Sequence, residues 1–300
     1  MSRHRIAPLL VVGAAVLWGT SGAAQELGPP GLTFPSVAAA RVLLGGALLL
    51  VVVGLLRGWH RVGAVLRDAR GPAALASVAM AGFQLGYFGG IRLTGVAVGT
   101  LVAIGSAPVT AGVIDALRGR PPGRRWMVAT GLTLSGAALL LVPGEGTVVR
   151  PAGIALALGA GVAYASYAVA SKGMLERGVD STAAMAVPFL GASVVLVPVA
   201  LTGDLSWMVT PRGIGVIAWL ALMTIAAGYT LFALGLRRLE AARVTTLTLA
   251  EPLTAALLAV VLLDERLVGP ALVGAVLMGV GLLLGGEGRR APVGRGVDAR

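Results

Sequence analysis

The chain contains no cysteine, which excludes disulfides and thiolate metal sites. Its two histidines, His4 and His60, fall outside every long apolar stretch, so a histidine relay or metal cluster within those stretches is excluded too. Charge is scarce: 12% of residues are charged, against roughly 25% in soluble domains. No paired carboxylates and no GxxxxGKS/T phosphate loop occur, which argues against a membrane-embedded enzyme and against a P-loop pump. Nor is there the ring of like charges expected of an ion channel. What is present is hydrocarbon: 57% hydrophobic residues, a mean hydropathy of +0.90 and 45 glycines, the composition of an integral membrane protein.

Apolar spans fall at about 6–27, 34–56, 73–93, 95–117, 126–143, 152–172, 181–203, 213–235, 241–263 and 269–285. Each is about long enough to cross the hydrocarbon as a helix, so the reading is an all-α membrane protein of ten transmembrane helices. Only Arg92 to Thr94 separate the third span from the fourth. The start resembles a cleavable signal peptide, with Arg3 and Arg5 before an apolar run, but nine spans follow it and Trp18-Gly19-Thr20-Ser21 interrupts it.

Of 24 Lys and Arg, alternate loops hold 19: Arg3, Arg5; Arg57, Arg61, Arg67, Arg70; Arg118, Arg120, Arg124, Arg125; Lys172, Arg177; Arg237, Arg238, Arg243; Arg289, Arg290, Arg295, Arg300. The other loops hold Arg92, Arg150, Arg212 and Arg266, and Arg41 lies within a span. This asymmetry places both termini in the cytoplasm and the protein in the inner or plasma membrane, multi-pass. The net charge of +11 is then a set of topology signals rather than a nucleic-acid surface.

The halves repeat. Ala107–Gly112 (APVTAG) matches Glu251–Ala256 (EPLTAA), Gly131–Leu141 (GLTLSGAALLL) matches Gly274–Leu284 (GAVLMGVGLLL), and Val12–Trp18 (VGAAVLW) matches Leu158–Tyr164 (LGAGVAY), at nearly constant offset. Three matches in order argue for a duplicated five-helix unit. Five is odd, so the second copy is inverted, the architecture of alternating-access carriers. The expected layout is a first repeat at 1–143, a periplasmic or extracellular linker at 144–151, an inverted repeat at 152–286 and a disordered basic cytoplasmic tail at 287–300. The turn RGRPPGRR (Arg118–Arg125) is basic where its counterpart DERLVG (Asp264–Gly269) is net acidic, as opposite orientations require.

The stretch Arg237–Leu284, RRLEAARVTTLTLAEPLTAALLAVVLLDERLVGPALVGAVLMGVGLLL, resembles the closing signature of the EamA-like branch of the drug/metabolite transporter superfamily. The Trp18-Gly19 pair, Arg41 opening an apolar run and Pro108 in the fourth span are similar in the first half. Pro121 and Pro122 depart from the pattern, standing where Glu265 and Arg266 would lie. The resemblance implies a ten-helix secondary carrier of a small organic metabolite, an amino acid, related metabolite or drug-like compound, exported from the cell. A translocator of lipid or lipid-linked substrate is the alternative.

A carrier needs polar groups at mid-depth, where unpartnered burial is costly. The candidates for substrate binding are Trp18, Thr20, Gln84, Tyr87, Tyr164, Tyr167, Thr224, Tyr229, Thr248 and Glu251. Each also has a packing reading, since Ser and Thr bond back to their own helices and aromatics fill seams. Glu251 has two readings: a carboxyl exchanging a proton or cationic substrate, or one bonded to a neighbouring helix. Pro108 and Pro252, at matching positions, are candidate hinges or substrate-facing kinks. Arg41 is assigned a structural role and Asp115 a local pair with Arg118 three residues on. The fifth and tenth spans are nearly pure apolar and glycine, suited to packing or dimer contact, with Gly281 and Gly285 at GxxxG spacing. No metal and no cofactor is expected. The expected partners are a small-molecule substrate, the lipid bilayer, and protons or a counter-substrate, in a monomer or homodimer.

Overall fold

A computed structural model of the chain describes residues 3–142, 149–262 and 269–286. The turn Asp264–Arg266, the tail 287–300 and most of the 144–151 linker lie outside the described residues. Helices run in the order α1 (Arg3–Glu26), α2 (Phe34–Leu56), α3 (His60–Asp68), α4 (Arg70–Thr94), α5 (Val96–Leu117), α6 (Arg124–Leu140), α7 (Pro151–Glu176), α8 (Ala183–Ala200), α9 (Pro211–Trp219), α10 (Gly228–Leu236), α11 (Ala241–Leu247), α12 (Ala250–Leu262) and α13 (Pro270–Gly286).

Local chemistry sets the boundaries. Thr33 caps α2 by accepting from the Ser36 N–H, and Thr210 caps α9 by accepting from the Gly213 N–H, each with proline in the first turn. Gly95 ends α4 with φ +80°, which divides the third apolar span from the fourth. A short helix, α3, occupies the basic loop read from sequence as a connection, holding Val65 buried while Arg61 and Arg67 stay exposed.

Among the described residues, eight helical runs are long and apolar enough to cross a membrane, and Pro270–Gly286 is a shorter apolar helix. Ten crossings were expected; the difference lies in α6 and α13, each 17 residues long. These two pack on each other through glycine. A Cβ on Gly136 would come within 2.6 Å of the Gly274 carbonyl oxygen and the Met278 nitrogen, and one on Gly274 within 2.6 Å of the Gly136 carbonyl oxygen. Backbone meets backbone there, and Gly281 similarly meets Ala129 and Thr133.

The halves are related by exchange. The pairing of α4 with α7 recurs as α10 with α1, that of α5 with α7 as α12 with α1, and that of α4 with α8 as the 220–227 segment with α2; α6–α13 and α2–α8 are their own mates. A two-fold axis produces this pattern. Direction is inverted as well. Asp115 near the end of α5 bonds Ala242 at the start of α11, and Arg125 at the start of α6 donates to the Leu284 carbonyl near the end of α13. Corresponding helices therefore run antiparallel.

Two rods of the second half depart from regular helix. Leu220–Ala227, between α9 and α10, is a π-helical segment. Between α11 and α12 the helix breaks at Thr248–Leu249, one turn before Pro252. Pro252 has no N–H to give the Thr248 carbonyl, which accepts instead from the Glu251 N–H at 3.0 Å. Pro108, its counterpart, lies inside the unbroken helix α5.

Candidate functional site

Residues from both halves converge at mid-depth. On α4, Gln84 is buried and its Oε1 accepts from Arg41 Nη2 of α2 at 3.3 Å. Arg41 thus meets an amide from a neighbouring helix inside the bundle. Opposite, Glu251 sits at the α11–α12 break, and Arg41 is the cation whose field reaches it. The ion pairs among the described residues lie elsewhere, at Arg67–Asp68, Arg120–Glu176 and Arg120–Glu240, and no salt bridge joins Arg41 to Glu251. Tyr87 and Tyr229 feel both charges, and Tyr164 feels that of Glu251. Arg41, Tyr87 and Glu251 are each only partly buried and keep some accessible surface.

Two buried donors in this cluster, Arg41 Nε and the Tyr164 hydroxyl, have no hydrogen-bond partner. Tyr164 lies within electrostatic reach of Thr248 but closes no bond to it. An orphan buried donor is costly in a folded protein, so a cluster that keeps two of them is suited to a polar guest.

An aromatic wall encloses the cluster. Trp18 packs tilted against Tyr229 at 4.7 Å between ring centroids, Tyr229 meets Phe189 at 4.5 Å, and Phe83 lies between Tyr87 at 5.5 Å and Tyr164 at 5.1 Å. Phe83, Phe189 and Phe232 were not singled out from sequence; nothing distinguishes a lining phenylalanine from a packing one in an apolar run.

The remaining sequence candidates divide. Trp18 donates its Nε1–H to the Thr224 carbonyl at 2.8 Å, tying α1 to the π segment. Tyr87 shares a hydrogen bond with Thr100 at 3.0 Å. Tyr167 is fully buried, and its hydroxyl donates to the Met185 sulfur at 3.1 Å, behind the cluster rather than in it. The hydroxyls of Thr20, Thr224 and Thr248 donate to carbonyls of their own helices, at Leu17, Leu220 and Thr245. Thr20 also accepts from Trp219 Nε1 at 2.9 Å.

The bundle end where α5, α7 and α10 finish is tightly closed. Asp115 does not pair with Arg118 as the spacing suggested; its Oδ2 accepts from the buried Ala242 N–H at 3.0 Å. A carboxylate relieves the unpaired N–H groups of a buried helix N-terminus more than a neighbouring solvated cation relieves the carboxylate. Around it, Arg120 reaches Glu176 at 2.8 Å and Glu240 at 4.0 Å, Lys172 donates to the Leu236 carbonyl, and Trp126 Nε1–H donates to the Ala242 carbonyl. Each of these contacts joins segments distant in sequence, and all but the Lys172 bond join the first half to the second. A separate cavity of about 490 Å³ opens between α4 and α7, lined by Gly89, Arg92, Leu93, Arg150 and Leu156, away from the central cluster.

Comparison with known proteins places this architecture. The chain matches the EamA-like transporter family twice, over residues 5–142 and 151–285. It is 39% identical over 283 residues to an uncharacterized transporter, YwfM, of Bacillus subtilis (strain 168), with 94% of each chain covered. It is 29% identical over 264 residues to the threonine/homoserine exporter RhtA of Escherichia coli (strain K12), covering 86% of this chain and 83% of that one. A solved crystal structure shares the fold at a TM-score of 0.79 and 21% identity, covering 93% of this chain and 95% of that one. Two matches in tandem, a 39% relative spanning nearly the whole chain and a two-fold helical bundle agree: this protein is a membrane transporter of the EamA-like family.

Proposed function

We propose that the protein exports a small zwitterionic metabolite of the amino-acid class, as a secondary carrier working by alternating access. The observation that supports this reading is the placement of Arg41 and Glu251 within electrostatic range of each other without a salt bridge, with Arg41 Nε and the Tyr164 hydroxyl left without hydrogen-bond partners among the described residues and aromatic rings alongside. A zwitterion brings a carboxylate for Arg41 and Tyr164, an ammonium for Glu251, and a side chain for the wall of Trp18, Tyr87 and Tyr229. Gln84 bonds Arg41, and the break at Thr248–Leu249 would let Glu251 move with α12 relative to α11.

The resemblance to a threonine/homoserine exporter supports the amino-acid class and the outward direction. Both termini in the cytoplasm follow from the arginine distribution, which makes the closed end described above the cytoplasmic one. The two EamA-like matches fit a repeat boundary within the 144–151 linker.

The test is counterflow of radiolabelled threonine in proteoliposomes, run beside a fluorescent phospholipid. Threonine exchange by the wild type, reduced about 10- to 150-fold in apparent affinity by either Arg41→Gln or Glu251→Gln, is the expected result, since each removes one charge-assisted hydrogen bond. Movement of the lipid with no amino-acid exchange would overturn the proposal.

A further inference from the structure

Outward loops of a membrane protein are poor in arginine, and here only Arg92, Arg150, Arg212 and Arg266 fall in them. Two of the four line one cavity. Arg92 near the end of α4 and Arg150 just before α7 border the space of about 490 Å³ with Gly89, Leu93 and Leu156, and the Arg150 N–H donates to the Leu93 carbonyl at 3.2 Å, fixing the two segments together. Both arginine side chains are exposed, and among the described residues no carboxylate pairs with either. Glu145, in the preceding linker, lies outside the described residues.

Exposed apolar side chains border the groove between α4 and α7 next to the cavity. Leu85, Gly89 and Arg92 follow at helical spacing along α4, and Leu85 and Leu156 are exposed. The groove has a glycine floor: Gly82 is exposed, and a Cβ on Gly89 would meet Leu156 at 2.9 Å. Two cations at the head of an apolar track, at the end of a membrane-spanning helix, match the headgroup and chain of an anionic phospholipid. A soluble anion would have no use for the track.

We propose that Arg92 and Arg150 bind the phosphate of an anionic phospholipid of the outer leaflet, with one acyl chain lying along the α4–α7 groove past Leu156 and Leu85. This site is separate from the central cluster. It pins the contact between α4 of the first half and α7 of the second, the junction at which the halves meet on this side.

The experiment is native mass spectrometry of protein ejected from nanodiscs of equimolar phosphatidylglycerol and phosphatidylcholine. The wild type should retain phosphatidylglycerol preferentially. Each arginine contributes about fivefold to the preference, so Arg92→Gln and Arg150→Gln each lower it about fivefold and the double variant about thirtyfold. Arg212→Gln, on another outward segment, should keep it, and threonine counterflow by the single variants checks their folding. Equal retention of the two lipids by the wild type, or an unchanged preference in both single variants, overturns the proposal. Displacement of phosphatidylglycerol by inorganic phosphate also overturns it, because the site would then serve a soluble anion.

Discussion

The bond between Asp115 and the Ala242 N–H is the most exacting feature of the closed end, because both partners are buried and the acceptor is charged. Asp115→Ala leaves that N–H without a partner. A hydrogen bond to a charged group contributes about 1.5–3 kcal/mol, so the ratio of open to closed molecules at this end should rise about 10- to 150-fold. Asp115→Asn keeps an oxygen acceptor and forfeits only the charge, about 1 kcal/mol, for a rise of about fivefold. Ala165 reports on this seam, since it packs between Ala111 of α5 and Ala242 of α11. The natural chain has no cysteine, so Ala165→Cys introduces a single thiol without background. The rate at which a water-soluble maleimide labels it should follow the open population, in the order Asp115→Ala, Asp115→Asn, parent. Labelling of the Asp115→Ala variant within about twofold of the parent, at unchanged thermal stability, would refute the assignment of this bond as a gate.

Other expectations can be measured in parallel. Gly136→Ala puts a methyl 2.6 Å from two backbone atoms of α13, where ordinary contact begins at 3.4 Å, so the helices must part; a loss of about 1–3 kcal/mol should show as a lower melting temperature in detergent, while Gly131→Ala, with open space around it, should show none. Trp18→Phe keeps the ring against Tyr229 and removes only the bond to the Thr224 carbonyl, so thermal stability should fall by about 1 kcal/mol without loss of the aromatic wall. Glu251→Gln should abolish pH-gradient-driven transport while sparing expression; unchanged gradient dependence would remove Glu251 from coupling. Arg120→Ala breaks two half-exposed pairs, each worth about 0.2–1 kcal/mol, and should raise Ala165→Cys labelling far less than Asp115→Ala does.

The bundle was legible because membrane helices obey a strict rule: backbone polar groups must be satisfied within the segment, so every long apolar run becomes a helix. The repeat was legible for a related reason, since APVTAG and EPLTAA occupy corresponding depths and the same helix contacts recur with the halves exchanged. The positions of single side chains were less so. Arg41 read as a structural charge or a contact for an anionic substrate, but its partner Gln84 lies 43 residues away, and a partner on another helix leaves no local spacing to detect. Asp115 shows the converse error. Its helical neighbour Arg118 offered a local pair, but the buried N-terminus of α11 competes better for the carboxylate. Thr20, Thr224 and Thr248 illustrate why hydroxyls in apolar spans are weak signals: each donates to a carbonyl three or four residues back, whichever way its helix faces.

The two halves differ where a carrier would need them to differ. Corresponding rods carry corresponding prolines, yet α5 is unbroken through Pro108 while α11 and α12 part ahead of Pro252; α4 is regular while its counterpart contains the π segment Leu220–Ala227. Sequence divergence alone would scatter such irregularities through the fold. Here both fall on the elements that carry Glu251 and Tyr229, and both lie against α1, through Gly19 at the α12 side and the Trp18 bond to Thr224 at the other. In an inverted repeat, exchanging the conformations of the two halves converts a bundle closed at one end into one closed at the other. The asymmetry then marks one state of the proposed cycle, with the Asp115 end shut. Its opposite state would straighten the helix at Thr248–Leu249 and bend α5 near Pro108. Spin labels flanking Pro108, at Ala103 and Ala116, should report a distance change on adding threonine that labels within the straight part of α7 do not; an α5 of constant length in all conditions would confine the motion to the second half and sink the exchange.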